Sequence, residues 1–195
     1  MKLAELKDAP HIDQLLAKSG GHGTDKQTAH SYGPVYEYLL TPLIDHECTL
    51  LEVGVCFGGS LRLWYDLLPK ATIIGIDRED SCKKSIAHLD RCHLIMADAY
   101  QATTVARIKE LAPQGLDVII DDGPHTLESQ KMFLSYYIPL LKPSGFAIIE
   151  DIQNEYFLQE LIAIPDSSFY CEVIDRRAQK GRYDDLMIMI KRMEY

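Results

Sequence analysis

The chain has 195 residues, which is enough for one complete domain but leaves little room for a second. Hydrophobic residues make up 47% and charged residues 25% of the composition, which excludes an intrinsically disordered chain. The net charge of −9, with no Lys/Arg cluster to offset it, argues against nucleic acid as a partner.

Two helices are predicted before the first strand, over residues 12–18 and 34–44. A polar, glycine-rich loop over residues 19–28 lies between them. We therefore expect a single domain in which residues 1–47 form a helical cap segment and residues 48–195 form the core.

The core alternates apolar runs with helical segments. Buried parallel strands are predicted over residues 49–53, 72–77, 116–121 and 145–150, with a weaker candidate at 93–96. The intervening helices are predicted over residues 60–68, 81–89, 103–111 and 127–141. Two final runs, 169–177 and 184–192, predict a C-terminal antiparallel hairpin. Together they predict a doubly wound, Rossmann-like α/β fold with seven strands, most of them parallel.

A glycine-rich turn follows the first predicted strand, with Glu52 near the strand end, then Gly54, Gly58 and Gly59, and Ser60 at the start of a helix. Glycines let the backbone approach a ligand closely, and a helix N-terminus offers free N–H groups to an anion. The spacing differs from the G-x-G-x-x-G of dinucleotide sites. S-adenosylmethionine suits such a turn, because it has a carboxylate and a ribose diol but no pyrophosphate.

Acidic residues at later strand ends support this interpretation. Asp77 follows Gly58 by 19 positions and is predicted to accept both ribose hydroxyls. Glu52 or Asp121 could face the ammonium group, and Asp98 and Ala99 are candidates for the adenine side. The alternative is that the glycine turn only connects a strand tightly to a helix.

Five ionisable residues follow two neighbouring predicted strands: Asp121, Asp122 and His125 after one, and Glu150 and Asp151 after the other. Carboxylates this close repel each other, and a divalent hard cation such as Mg²⁺ would relieve the repulsion. We interpret His125 as the general base that takes a proton from a substrate hydroxyl. The open alternatives are that the acids cap helices or face water, and that His125 is a core histidine.

Several motifs occur in the order seen in one enzyme family: Gly23-Thr24-Asp25-Lys26 with His30-Ser31-Tyr32, Glu52 to Ser60, Asp121-Asp122-Gly123-Pro124-His125, and Glu150-Asp151. The chain thereby resembles the macrocin O-methyltransferase family of class I, S-adenosylmethionine-dependent enzymes, which methylate sugar hydroxyls on macrolides and related natural products. The resemblance implies Mg²⁺ held by Asp122, Glu150 and Asp151, with His125 as the base. It also implies cofactor contacts in the glycine turn and at Asp77, and that the segment carrying Tyr32 borders the cofactor.

The expected function is a Mg²⁺-dependent O-methyltransferase that acts on a hydroxylated small molecule such as a sugar or polyketide. Two alternatives remain open: an S-adenosylmethionine-binding enzyme of another reaction class, and a non-catalytic cofactor-binding module.

Compartment and assembly follow from weaker signals. The five cysteines are scattered without C-x-x-C spacing, which is typical of reduced thiols in a cytoplasmic protein. No apolar run approaches the ~20 residues of a membrane span, so no membrane association is expected. Formation of a homo-oligomer is left open.

Overall fold

The computed structural model describes residues 2–18 and 23–194. Residues 19–22, which open the predicted glycine-rich loop, lie outside the described residues. The strands are β1 (Thr49–Val53), β2 (Thr72–Asp77), β3 (Cys92–Met96), β4 (Leu116–Asp121), β5 (Leu141–Ile149), β6 (Phe169–Asp175) and β7 (Leu186–Arg192). The α-helices are α1 (Pro10–Lys18), α2 (Gly33–Leu40), α3 (Gly59–Leu67), α4 (Lys83–Ile86), α5 (Ala102–Leu111), α6 (Leu127–Tyr137), α7 (Glu155–Ile162) and α8 (Arg177–Lys180).

The strands form one seven-stranded sheet in the order β3-β2-β1-β4-β5-β7-β6. The first five strands in this order are parallel, and β7 runs antiparallel to both of its neighbours. This confirms the predicted doubly wound, mostly parallel sheet with its C-terminal antiparallel hairpin.

Both faces of the sheet are buried at its central strands β1, β2 and β4, which explains their unalternated apolar sequences, whereas the edge strands β3 and β6 are partly exposed. Leu50 of β1 packs into a core with Tyr36 and Trp64 of the helices on one face. Its neighbour Leu51 packs into a second core with Phe133 on the other face. Successive strand residues point to opposite faces, so each face needs its own apolar side chains.

Strand pairing brings the acidic strand ends to one edge. Val53 pairs with Ile76 of β2 and with Asp121 of β4, and Asp121 pairs with Ile149 of β5. The loops that leave these strands therefore meet at the carboxyl edge of the sheet, where open α/β sheets hold their ligands.

Several predicted boundaries differ from the observed ones. The helix predicted over 127–141 ends at Tyr137, and a short 3-10 turn follows over Ile138–Leu140, because Pro139 has no N–H to continue the helix. Strand β5 begins at Leu141, four residues before the predicted start, and its register with β4 shifts at a bulge. Helix α4 covers only four of the nine residues predicted for it.

Helix α7 was missed by the sequence analysis. The side chain of Asn154 caps it by accepting a hydrogen bond from the Phe157 amide at 2.9 Å. The cap residue together with an acid in the first turn is the signal that predicts such a helix. Within residues 2–18 and 23–194, no helix combines the length and apolar character needed to cross a membrane.

Candidate active site

A cleft of about 590 Å³ opens at the carboxyl edge of the sheet. This volume lies within the range of small-molecule sites, roughly 300–1,000 Å³. Loops after β1, β2, β3 and β4 form its walls, together with the segment over residues 23–25. Six of the predicted cofactor residues line it: Gly54, Gly59, Ser60, Asp77, Asp98 and Ala99.

The glycines of the turn are needed for close packing between segments. Gly54 has a φ of 85°, and a Cβ there would lie 1.9 Å from the carbonyl oxygen of Asp122. A Cβ on Gly59 would lie 2.5 Å from the carbonyl of Gly23. The absence of side chains therefore lets the β4 loop and the segment over residues 23–25 converge on the first turn.

The Asp77 side chain lines the cleft and also holds the glycine turn in place. Its Oδ2 accepts hydrogen bonds from the amides of Val55 and Cys56, both at 2.8 Å, and its Oδ1 accepts one from Glu79 at 3.0 Å. Burial opposes ionisation of Asp77, but these backbone donors outweigh it and lower the pKa of the carboxyl. An ionised carboxylate at this position can accept hydrogen bonds from a ribose.

Asp98 and Ala99 line the same cleft on the β3 side. The Asp98 side chain accepts a hydrogen bond from the Tyr100 amide at 3.0 Å and lies 3.1 Å from the Arg78 guanidinium. The backbone bond and the guanidinium lower the pKa of Asp98. Arg78 and Tyr100 also line the cleft, and the sequence analysis assigned neither.

Four predicted cofactor residues lie behind the cleft wall. Gly58 is the N-cap of α3, with a φ of 79°. The carboxylate of Glu52 is fully buried and accepts hydrogen bonds from Ser60 at 2.7 Å and from Trp64 at 3.2 Å. The Tyr32 ring is also fully buried.

Asp121 is the fourth of these residues. It is 2% exposed, and among the residues that the structure describes no group hydrogen-bonds to either of its carboxylate oxygens. Burial and the charge of Asp122 raise its pKa well above the ordinary value. Direct cofactor contacts by these four residues stay a prediction.

Asp122, His125 and Asp151 form a compact group of potential ligands. One donor atom from each lies within 4.8 Å of the others. The His125 Nε2 is 3.5 Å from Asp151 Oδ2 and 3.8 Å from Asp122 Oδ1. His125 and Asp151 adopt positive φ angles of 55° and 54°. Such backbone conformations are costly for non-glycine residues and cluster at functional sites.

Glu150 lies in the layer behind this group and is 2% exposed. Its carboxylate accepts hydrogen bonds from the Lys26 ammonium at 2.8 Å and from the Tyr36 hydroxyl. Burial raises the pKa of Glu150 well above its ordinary value, while the charge of Lys26 opposes that rise. Lys26 contacts both Glu150 and Asp122 and therefore links the glutamate to this group.

Lys26 is the main residue that the sequence analysis left without a role. Its Nζ lies 2.7 Å from Asp122 Oδ2 and 3.4 Å from Glu52 Oε1, in addition to its bonds with Glu150. Burial lowers the pKa of Lys26, but the charges of Asp122, Glu150 and Glu52 raise it well above its ordinary value. The lysine therefore carries a buried positive charge among three carboxylates.

The Asp151 side chain is held by the predicted residue Tyr32 and by residues to which the sequence analysis assigned no role. The Tyr32 hydroxyl donates to Asp151, and the His30 Nδ1 lies 3.4 Å from Asp151 Oδ1. The same His30 nitrogen lies 2.7 Å from the buried Asp185, which also accepts hydrogen bonds from the Ser31 amide and hydroxyl. Burial raises the pKa of Asp151, and the Tyr32 bond partly offsets the rise.

The donor chemistry of the group fits a divalent cation. Two carboxylates and an imidazole face a common space, and the side chains of His125 and Asp122 remain 28% and 25% exposed. Carboxylate oxygens are the ligands that Mg²⁺ prefers, and it commonly keeps several water molecules. The cleft has Asp77 and Asp98 in its walls, and these acids likewise fit a nucleoside-type cofactor.

The methyltransferase domain model matches residues 51–152 of the chain. A relative at the sequence level is the 8-demethyl-8-α-L-rhamnosyl tetracenomycin-C 2′-O-methyltransferase of Streptomyces olivaceus, 31% identical over an alignment of 169 positions that covers 76% of this chain and 43% of that protein. Another is the demethylmacrocin O-methyltransferase of Streptomyces fradiae, 29% identical over 137 residues, covering 66% of this chain and 33% of that protein. The chain thus spans less than half the length of these relatives.

A solved structure of similar fold is the MycE methyltransferase from the mycinamycin biosynthetic pathway, in complex with Mg and SAH. The two superpose with a TM-score of 0.72 at 20% identity, covering 96% of this chain and 55% of that chain. At this identity the likeness shows the fold.

Proposed function

We propose, from the premise that this chain belongs to the methyltransferase domain family, that it moves a methyl group from S-adenosylmethionine to a hydroxyl of a small molecule in a Mg²⁺-dependent reaction. One observation carries the proposal: a single cleft is lined by Asp77 and Asp98 and also by Asp122 and His125. The residues proposed to bind the methyl donor and the residue proposed as the base therefore line one space.

The cofactor would lie along the carboxyl ends of β1, β2 and β3. The Asp77 carboxylate would accept hydrogen bonds from the ribose hydroxyls, because its backbone donors keep it ionised. Asp98 and Ala99 would border the adenine. The first turn of α3, at Gly59 and Ser60, offers backbone N–H groups to the cofactor carboxylate.

Asp122 and Asp151 would hold the metal, with Glu150 behind them. When bound, S-adenosylmethionine supplies an electrophilic methyl group and Mg²⁺ supplies Lewis-acid charge that lowers the pKa of a hydroxyl. His125 would accept the hydroxyl proton at Nε2, the nitrogen that faces the two aspartates. The cleft walls would align acceptor and donor, because transfer needs the attacking oxygen in line with the methyl carbon and the sulfur.

The acceptor class rests on the sequence relatives. Their names specify methyl transfer to a rhamnosyl tetracenomycin and to demethylmacrocin. We therefore propose a hydroxylated natural product, a sugar or polyketide, as the acceptor.

Calorimetric titration with S-adenosylmethionine, with and without Mg²⁺, tests the first part of the proposal. Binding is expected, and its absence under both conditions would contradict the proposed function. Mass spectrometry of products, with 8-demethyl-8-α-L-rhamnosyl tetracenomycin C and demethylmacrocin as acceptors, tests the transfer. Methyl transfer that survives exhaustive chelation would show that the metal assignment is wrong.

A further inference from the structure

The motif Gly23-Thr24-Asp25-Lys26 contributes to the site in two ways. Residues 23–25 line the cleft, and Lys26 turns away from it into the protein, where it is 1% exposed. A lysine this deeply buried loses its hydration, so its ammonium must find compensating partners. The charged partners are all carboxylates, and they come from three different strand ends.

The ammonium makes close contacts on several sides. It lies 2.7 Å from Asp122 and 2.8 Å from both oxygens of Glu150, and its distance to Glu52 is 3.4 Å. The Tyr36 ring lies below it, with its centroid 5.9 Å from Nζ. These contacts hold the ends of β1, β4 and β5 at fixed separations.

The same carboxylates border the proposed metal position. Asp122 contacts Lys26 through Oδ2 and faces His125 through Oδ1. Without the lysine, the carboxyl groups of Glu52, Asp122 and Glu150 would have no cation beside them. They would then either stay charged and repel one another or take up protons, and both states are less favourable than pairing with a cation.

We propose that Lys26 is a positioning residue that acts as an internal cation: it holds Asp122 and Glu150 together and keeps the metal half of the site folded before a divalent cation binds. This inference rests on the proposed function for the metal itself. It predicts that removal of the lysine charge makes the protein depend on a divalent cation for its stability.

The test compares thermal unfolding of wild type and Lys26→Met, each with and without saturating Mg²⁺. Without Mg²⁺ the variant should melt on the order of 10 °C below wild type, as expected for loss of one partner of a buried ion pair. The rise in melting temperature on adding Mg²⁺ should be larger in the variant, by about 5 °C or more. The affinity for Mn²⁺, followed by electron paramagnetic resonance, should increase on the order of tenfold, because a positive charge has left the site.

Lys180→Met is the matched control. Lys180 ties the same N-terminal segment down by donating to the carbonyls of Gln27, Thr28 and His30, at 2.5, 3.1 and 2.7 Å. Lys180 therefore anchors the backbone of this segment, whereas Lys26 neutralises carboxylates. This variant should lower the melting temperature while its Mg²⁺-induced rise matches that of wild type.

Equal Mg²⁺-induced rises in wild type and Lys26→Met would overturn the inference, because a packing role alone predicts that result. If Lys26→Met is unfolded both with and without Mg²⁺, the double variant Lys26→Met/Glu150→Gln tests the inference instead. Folding of the double variant supports the charge argument, and failure to fold overturns it. The melting measurements need no cofactor, so failure of S-adenosylmethionine binding would refute the proposed function separately.

Discussion

Replacement of Gly54 by alanine tests how the first turn and the β4 loop fit together. The positive φ of 85° costs an L-residue about 1–2 kcal/mol. The new Cβ would also lie 1.9 Å from the Asp122 carbonyl oxygen and 3.0 Å from the Gly123 Cα, which are backbone atoms that cannot rotate away. Crowding of this kind costs about 1–3 kcal/mol more. We therefore expect Gly54→Ala to lose about 2–5 kcal/mol of unfolding free energy.

Gly181→Ala is the control for backbone strain alone. Gly181 has a φ of 72°, and a Cβ there would meet nothing within 4 Å. Gly181→Ala should therefore lose about 1–2 kcal/mol of unfolding free energy. Urea denaturation followed by circular dichroism measures both variants. If Gly54→Ala loses no more than Gly181→Ala, the Cβ crowding against the Asp122 backbone has no energetic consequence and the reasoning is refuted.

Three further variants test the site. His125→Gln should reduce methyl transfer by roughly 10²–10⁴-fold while the Kd for S-adenosylmethionine stays within about twofold, and turnover near the wild-type level would exclude His125 as the base. Asp77→Asn should weaken cofactor binding by about tenfold or more in calorimetry, because the ribose loses a charged acceptor. The pKa of Asp77 is lowered in the folded protein, so its contribution to stability is present above about pH 4 and is lost as the pH falls through the folded pKa. The difference in melting temperature between wild type and Asp77→Asn should accordingly shrink as the pH falls below about 4, and a constant difference would contradict this assignment. Asp185→Asn should cost about 2–4 kcal/mol in urea denaturation, because buried His30 and Ser31 both bond to this carboxylate, and a loss below about 0.5 kcal/mol would show that the network contributes little.

The strands and the acidic edge were predictable from local patterns. Continuous apolar runs predict strands that are buried on both faces, and the acids that follow these runs must emerge at the same edge of a parallel sheet. Asp77, Asp122 and Asp151 could be placed together on this basis. Helix ends were less predictable, as at Tyr137, because turn geometry beyond the helix decides where hydrogen bonding stops.

The choice between Glu52 and Asp121 as the acid facing an ammonium shows what composition and spacing leave open. Glu52 is held by Ser60 and Trp64 and adjoins Lys26, whereas no described residue hydrogen-bonds to the carboxylate of Asp121. Both acids sit near strand ends, and their sequence contexts look alike. The packing around each side chain distinguishes them.

Local patterns were enough to predict the strands, the glycine turn and the acids at the strand ends, because each depends on neighbours a few positions away along the chain. The pairing of the charges, in contrast, follows from contacts between distant parts of the chain. Lys26 meets Asp122 and Glu150 across separations of 96 and 124 residues, and His30 meets Asp185 across 155. Such partners depend on the path of the whole chain, and burial then sets the strength and the cost of each pair.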